Sequence, residues 1–164
     1  MQATADKTQV SPRALARDLF SVLGYLVKTT TPDLFRALGE LELSLTQVKL
    51  LHCLDGGDRE LALTDLAENL SLSLPAASRA IDALHQRGYV HRREDEHDRR
   101  MKRVRITEAG TDALRRLNQT RLAQLEEFAA TMTEAERRRL AGALASLLER
   151  PEIAAVRPES AQER

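Results

Sequence analysis

Apolar residues recur every three or four positions through most of the chain, and alternate with charged ones in only one stretch. Leu15, Leu19, Val22, Leu23 and Leu26 form one helical stripe. Ser11-Pro12 precedes it, an N-cap followed by the proline that tolerates the first helical position. Thr31-Pro32 repeats that signal and predicts a second, short helix carrying Leu34, Phe35, Leu38 and Leu41. A third helix is expected with Thr46 as cap, Leu45 and Leu50 as a hydrophobic staple, and Val48, Leu51 and Leu54 facing inward. Asp55-Gly56-Gly57-Asp58 closes it with a loop.

Beyond that loop the pattern changes. Leu61-Ala62-Leu63 reads as a short strand, and Thr64 as the cap of a helix whose core face is Leu66, Ala67 and Leu70. Ser71-Leu72 turns the chain, Ser73 caps a helix from Leu74 to Arg87, and Gly88 is its left-handed stop. Tyr89-Val90 opens a strand. Val104 and Ile106, alternating with Arg103 and Arg105, form the returning strand, with Asp95 to Arg100 as the tip between. Thr107 caps a long helix bearing Ala113, Leu114, Leu117, Leu122, Leu125, Phe128 and Ala129. Thr133 and Glu136 match a capping box for a last helix with Leu140, Leu144, Leu147 and Leu148 on one side. The proline-broken tail from Glu149 is expected to be disordered.

Helix, tight turn, helix and charged hairpin make a winged helix-turn-helix. The fold class expected is mainly α with a small β-hairpin wing. Residues 11–44 and 108–148 are too apolar for so small a unit to bury, so they are assigned to dimerisation. The divisions are then 11–44, N-terminal dimerisation helices; 45–107, the DNA-binding winged helix; 108–148, C-terminal dimerisation helices; and 149–164, the tail. A two-fold homodimer sets two recognition helices about one DNA turn apart.

Composition adds limits. The 164 residues carry no net charge, but positions 87–105 hold eight Arg/Lys against four acids, so the remainder is net negative. A basic wing on an acidic body steers DNA to one face. No apolar run suggests a signal peptide or membrane span, and one cysteine cannot form an internal disulfide, so a cytoplasmic protein is expected. Phosphate loops, nucleophile elbows and paired catalytic carboxylates are missing, so enzyme activity and cofactors are not expected. The four histidines lack metal-ligand spacing.

On the helix from 74 to 87, Ala77, Ile81 and Leu84 point inward while Pro75, Ala76, Ser78, Arg79, Asp82 and Gln86 point out. Small Pro75 and Ala76 let the first turn approach base edges and touch thymine methyls. Arg79 reaches guanine or phosphate, and Ser73 and Ser78 donate to phosphates. At the tip, Asp98-Arg99-Arg100 offers an arginine to the minor groove with an aspartate two residues earlier to hold its guanidinium. The plainer alternatives are a charged surface helix and a solvated charge run, the latter favoured by Glu94, Asp95 and Glu96, which repel phosphates.

The hairpin resembles the wing of the MarR family of bacterial transcriptional regulators. The residues concerned are Arg92-Arg93, Asp95, Asp98-Arg99-Arg100, Val104 and Ile106-Thr107-Glu108-Ala109-Gly110. Leu63-Thr64, Leu66-Ala67, Ser78-Arg79, Leu84 and Gly88-Tyr89-Val90 fit upstream. The likeness covers roughly residues 12–148 and departs where a common proline is Glu96. It implies a homodimer that grips palindromic double-stranded DNA, with Arg100 as the minor-groove arginine, Asp98 orienting it, and Arg99 and Arg79 in support. It also implies a repressor released by a small aromatic or phenolic effector. No motif marks the effector pocket; Tyr25, Lys28 and His52 are polar residues near its expected place. Two alternatives stay open: a winged-helix protein-interaction module without sequence-specific DNA binding, and a redox-responsive regulator using Cys53.

Overall fold

The computed structural model describes residues 10–55, 60–96, 98 and 101–154. Its elements run α1 (Pro12–Glu40), α2 (Leu45–Leu54), β1 (Leu61–Ala62), α3 (Leu63–Asn69), α4 (Leu74–Gln86), β2 (Val90–Glu94), β3 (Lys102–Ile106), α5 (Glu108–Ala130), α6 (Glu134–Leu148) and α7 (Pro151–Ala154). The fold is mainly helical with one small antiparallel sheet, ordered β1-β3-β2.

Where the caps are local signals, the chain obeys them. Ser11 accepts from the Ala14 N–H at 3.2 Å, Ser73 from Ala76 at 3.3 Å, Thr107 from Gly110 at 3.1 Å and Thr133 from Glu136 at 3.3 Å. Two expected caps are corrected. Helix α2 is capped by Ser44, not Thr46, in a reciprocal box: Gln47 N–H donates to Ser44 Oγ, and Ser44 N–H donates to Gln47 Oε1 at 2.8 Å. Leu43 and Val48, both buried, take the staple positions on either side of that cap. Helix α3 starts at Leu63 with Ala62 as an N-cap that has no side-chain bond, so Thr64 is inside it. Ala62 is fixed instead by pairing with Arg103 across the sheet.

The break expected at Thr31-Pro32 does not occur: α1 is one helix of 29 residues with Pro32 inside it. Proline lacks the N–H for its turn and ordinarily breaks a helix at a cost of about 3 kcal/mol. Here both sides of the defect are held by α5. Tyr25 packs its ring on Phe128, centroids 5.6 Å apart, and Asp33 accepts a hydrogen bond from Gln124. Thr29 and Thr31 donate their hydroxyls to carbonyls one turn back, those of Tyr25, Leu26 and Val27, on the same stretch. The tail is also corrected in part, since Pro151–Ala154 form a short helix; 155–164 lie outside the described residues.

One core serves the winged helix. Leu50, Leu51 and Leu54 of α2, Leu66 of α3, Ile81 and Leu84 of α4, Val90 of β2, Val104 of β3 and Leu114 of α5 are all fully buried. The hairpin register sets Val90 opposite Ile106 and Arg92 opposite Val104. The sheet therefore stands its apolar side chains on α2 and α4 and turns the alternate positions outward.

The wing and α5 meet at one tight joint. Thr107 N–H donates to the Tyr89 carbonyl at 3.1 Å, and Thr107 Oγ1 donates to the Gly88 carbonyl at 2.6 Å. Gly110 is buried there, and a Cβ on it would press into the Tyr89 carbonyl oxygen and Ile106. The Thr-x-x-Gly pattern thus has a physical cause: one residue caps α5 and closes the hairpin, and the other leaves space for both.

Candidate nucleic-acid interface

Helix α4 lies across the core with Ala77, Ile81 and Leu84 buried, and Pro75, Arg79 and Gln86 exposed. Ala76, Ser78 and Asp82 are half-buried. Its N-terminus is prepared by the turn before it, where Ser71 adopts φ 52° and lets the chain reverse before Ser73 caps. Gly88, at φ 76°, stops it as expected, a conformation that costs glycine little. Ser73, Pro75 and Arg79 therefore share one accessible end and face of the helix, and Arg79 has no ion-pair partner among the described residues. His85 Nδ1–H donates to the Val90 carbonyl at 3.0 Å, tying the far end of α4 to β2.

The hairpin differs from a bare cationic ribbon. Arg92 is ion-paired with Asp82, joining β2 to α4. Arg93 is clamped by Glu60, just before β1: its Nε donates at 3.1 and 3.0 Å to the two carboxylate oxygens and its Nη2 at 2.7 Å. Lys102 pairs with Glu94 across the hairpin at 2.7 Å. The hydrogen bond and charge of Arg93 hold Glu60 below the usual carboxylate range, and Lys102 does the same to Glu94.

Asp95 has a role that its charge alone did not suggest. One carboxylate oxygen accepts the Asp98 N–H at 3.2 Å and the other accepts Arg103 Nε at 2.6 Å. The Asp95 N–H donates to the Met101 carbonyl and the Met101 N–H to the Asp98 carbonyl. Asp95 thus organises the start of the tip, at the place where Glu96 stands instead of proline. Asp98 itself is exposed. Arg99 and Arg100, the expected groove-reading pair, lie outside the described residues.

Sequence reasoning placed α4 and its outward face correctly, but it missed Glu60 and the partners of Arg92 and Arg93. Those pairs span 10 and 33 positions, and no local pattern announces them. Cys53 is half-buried, and burial pushes its thiol above the ordinary value, which keeps it in the less reactive protonated form at neutral pH. A shallow apolar recess of about 370 Å³ is lined by Ser21, Val22, Tyr25 and Phe128. Lys28 and His52 are exposed and do not line it. Among the described residues no cluster of side chains suits a metal ion, and no helix is long and apolar enough to cross a membrane.

A capped helix with a small, open first turn, packed beside a three-stranded sheet and its basic hairpin, defines a winged helix-turn-helix protein. The family model described as the MarR family matches residues 43–102. Solved structures share the fold over most of the chain. YusO from Bacillus subtilis aligns with TM-score 0.67 and 22% identity, over 84% of this chain and 97% of its own. A MepR variant from S. aureus bound to an oligodeoxyribonucleotide aligns with TM-score 0.64 and 19% identity, over 79% and 95%. The crystal structure of MarR aligns with TM-score 0.57 and 21% identity, over 80% and 95%.

Proposed function

We propose that the chain is a sequence-specific, DNA-binding transcriptional regulator that grips a palindromic operator as a homodimer in the cytoplasm. The observation that carries this reading is the joint presentation of α4 and the hairpin. The exposed first turn of α4 is small enough to enter a major groove, and Arg92–Asp82 ties the hairpin to it at a fixed spacing. Ser73, Pro75, Ala76, Ser78 and Arg79 are the residues proposed to face the major groove. Asp98, Arg99 and Arg100 are proposed for the minor groove beside it. Asp82 acts through Arg92. MepR structures that share this fold are bound to DNA, which favours a DNA partner for this chain too.

The homodimer is supported by what the monomer leaves uncovered. Leu15, Leu19, Phe20, Leu23 and Val27 of α1 are each at least half exposed, and α6 buries no residue. A second copy is the partner that repeats this pattern and gives two α4 helices on one DNA face. Repression relieved by a small aromatic or phenolic molecule follows from the family likeness. The apolar recess between α1 and α5 is a candidate place for such a ligand, with the Tyr25 hydroxyl as a polar contact.

Selection of bound duplexes from a random pool tests the reading. An enriched inverted repeat with half-sites about ten base pairs apart is the expected result. Weak, salt-sensitive binding without enrichment would favour the protein-interaction module instead.

A further inference from the structure

The hairpin's cations carry internal counter-ions, and two of those acids come from outside the hairpin: Asp82 on α4 and Glu60 before β1. The Glu60 clamp is the more complete. Both its oxygens are engaged by one guanidinium, through Nε and Nη2, in the fork geometry that arginine otherwise offers a phosphate. The remaining Nη1 of Arg93 donates to the Glu94 carbonyl at 3.2 Å and to Glu96, a largely exposed residue, at 3.3 Å. All five donors of this side chain sit on three nitrogens, and each nitrogen already has an acceptor. Arg93 is 48% exposed at the side chain, while most of its N–H groups are already bonded within the protein.

We propose that Glu60 is a specificity-determining residue that occupies the phosphate-binding fork of Arg93. It thereby withholds one non-specific phosphate contact from the wing. The inference rests on the DNA-binding reading above and adds to it. Phosphate contacts exist on every DNA sequence, so each available one strengthens non-specific and specific binding alike. A protein that must find one operator among many competing sites gains discrimination when the side chains beside its base-reading elements are already neutralised. Glu60 is well suited to this because it reaches the wing from the α2–β1 connection and leaves the recognition helix untouched.

The test compares full-length protein and its variants on two duplexes of equal length, the pool-selected operator and a random sequence, across a salt titration. Glu60→Gln should bind random DNA several-fold more tightly, with the slope of log K against log salt steeper by about 0.9, one released counter-ion. The ratio of operator to random affinity should fall. Adding Arg93→Gln to Glu60→Gln should cancel the gain, while Arg93→Gln alone should change random-DNA binding little. Asp112→Asn, which removes an equal charge from an exposed pair on α5, should leave the slope unchanged. A Glu60→Gln protein that melts like the parent but keeps its slope overturns the inference alone. So does one that loses operator affinity, because the clamp would then be aiming Arg93 at DNA. A parent protein without salt-dependent binding to either duplex overturns the DNA-binding reading and the inference with it.

Discussion

The winged helix and the terminal helices are built to different standards of completeness. Of the fully buried large side chains, all but Leu114 lie between Leu50 and Val104. In the winged helix α2 and α4 start on side-chain caps, and Arg92 and Arg93 of β2 have their acids. By contrast α1 buries only Leu38 in 29 residues, α6 buries none, and Phe20 stands 77% exposed. The difference separates two kinds of stability. The winged helix owes its shape to contacts within one chain. The terminal helices expose an apolar face that the described residues of one chain leave uncovered.

Breaking each region should therefore have a different signature. The largest effect is expected from Leu84→Ala, which empties a fully buried site near the C-terminal end of α4 and should cost about 2–5 kcal/mol. Denaturant titration should register the loss of the winged-helix transition itself. Next, Leu19→Glu with Leu23→Glu charges two exposed positions of α1, so helix content should persist. Sedimentation should show dimer becoming monomer, and operator affinity should fall about 100-fold or more as the second reading head is lost. A monomer that binds at full strength would erase the proposed division of labour. Arg100→Ala should weaken operator binding by about 1 kcal/mol, measured by fluorescence anisotropy, and most over A·T-rich flanks.

The smallest effect concerns the start of α6. Glu136 is held below the usual carboxylate range, first by the Thr133 N–H and then by its hydroxyl. A lowered carboxyl contributes stability above its unfolded value, and that contribution is lost as pH falls through the folded one. Glu136→Gln keeps an acceptor at the cap but cannot titrate. Its melting temperature should lie slightly below the parent's at neutral pH, and the gap should close as the solution is acidified through the carboxylate range.

Much of this architecture is written locally. Ser11, Ser73, Thr107 and Thr133 could be named as caps because the signal and its partner lie within three residues. Ser44 and Gln47 carried the same kind of signal, overlooked in favour of Thr46 two positions on. What failed was non-local. Ala62 begins α3 because the sheet fixes it, and Pro32 stays helical where α5 grips Tyr25 and Asp33. The outward face of α4 was legible from periodicity, whereas the state of the wing's charges was not. Arg92 and Arg93 look like free cations in sequence, and only the fold brings Asp82 and Glu60 to them.

The joint at Thr107 and Gly110 makes α5 a lever with its fulcrum at the root of the wing. Phe128, beside the apolar recess, lies eighteen residues along the same helix, an arm of about 27 Å at 1.5 Å per residue. At the pivot Gly110 lets the α5 backbone lie close against the Tyr89 carbonyl. A push of about 1 Å at the far end tilts such an arm by only about two degrees. Gly88 and Tyr89, where α4 ends and the hairpin begins, sit at that pivot.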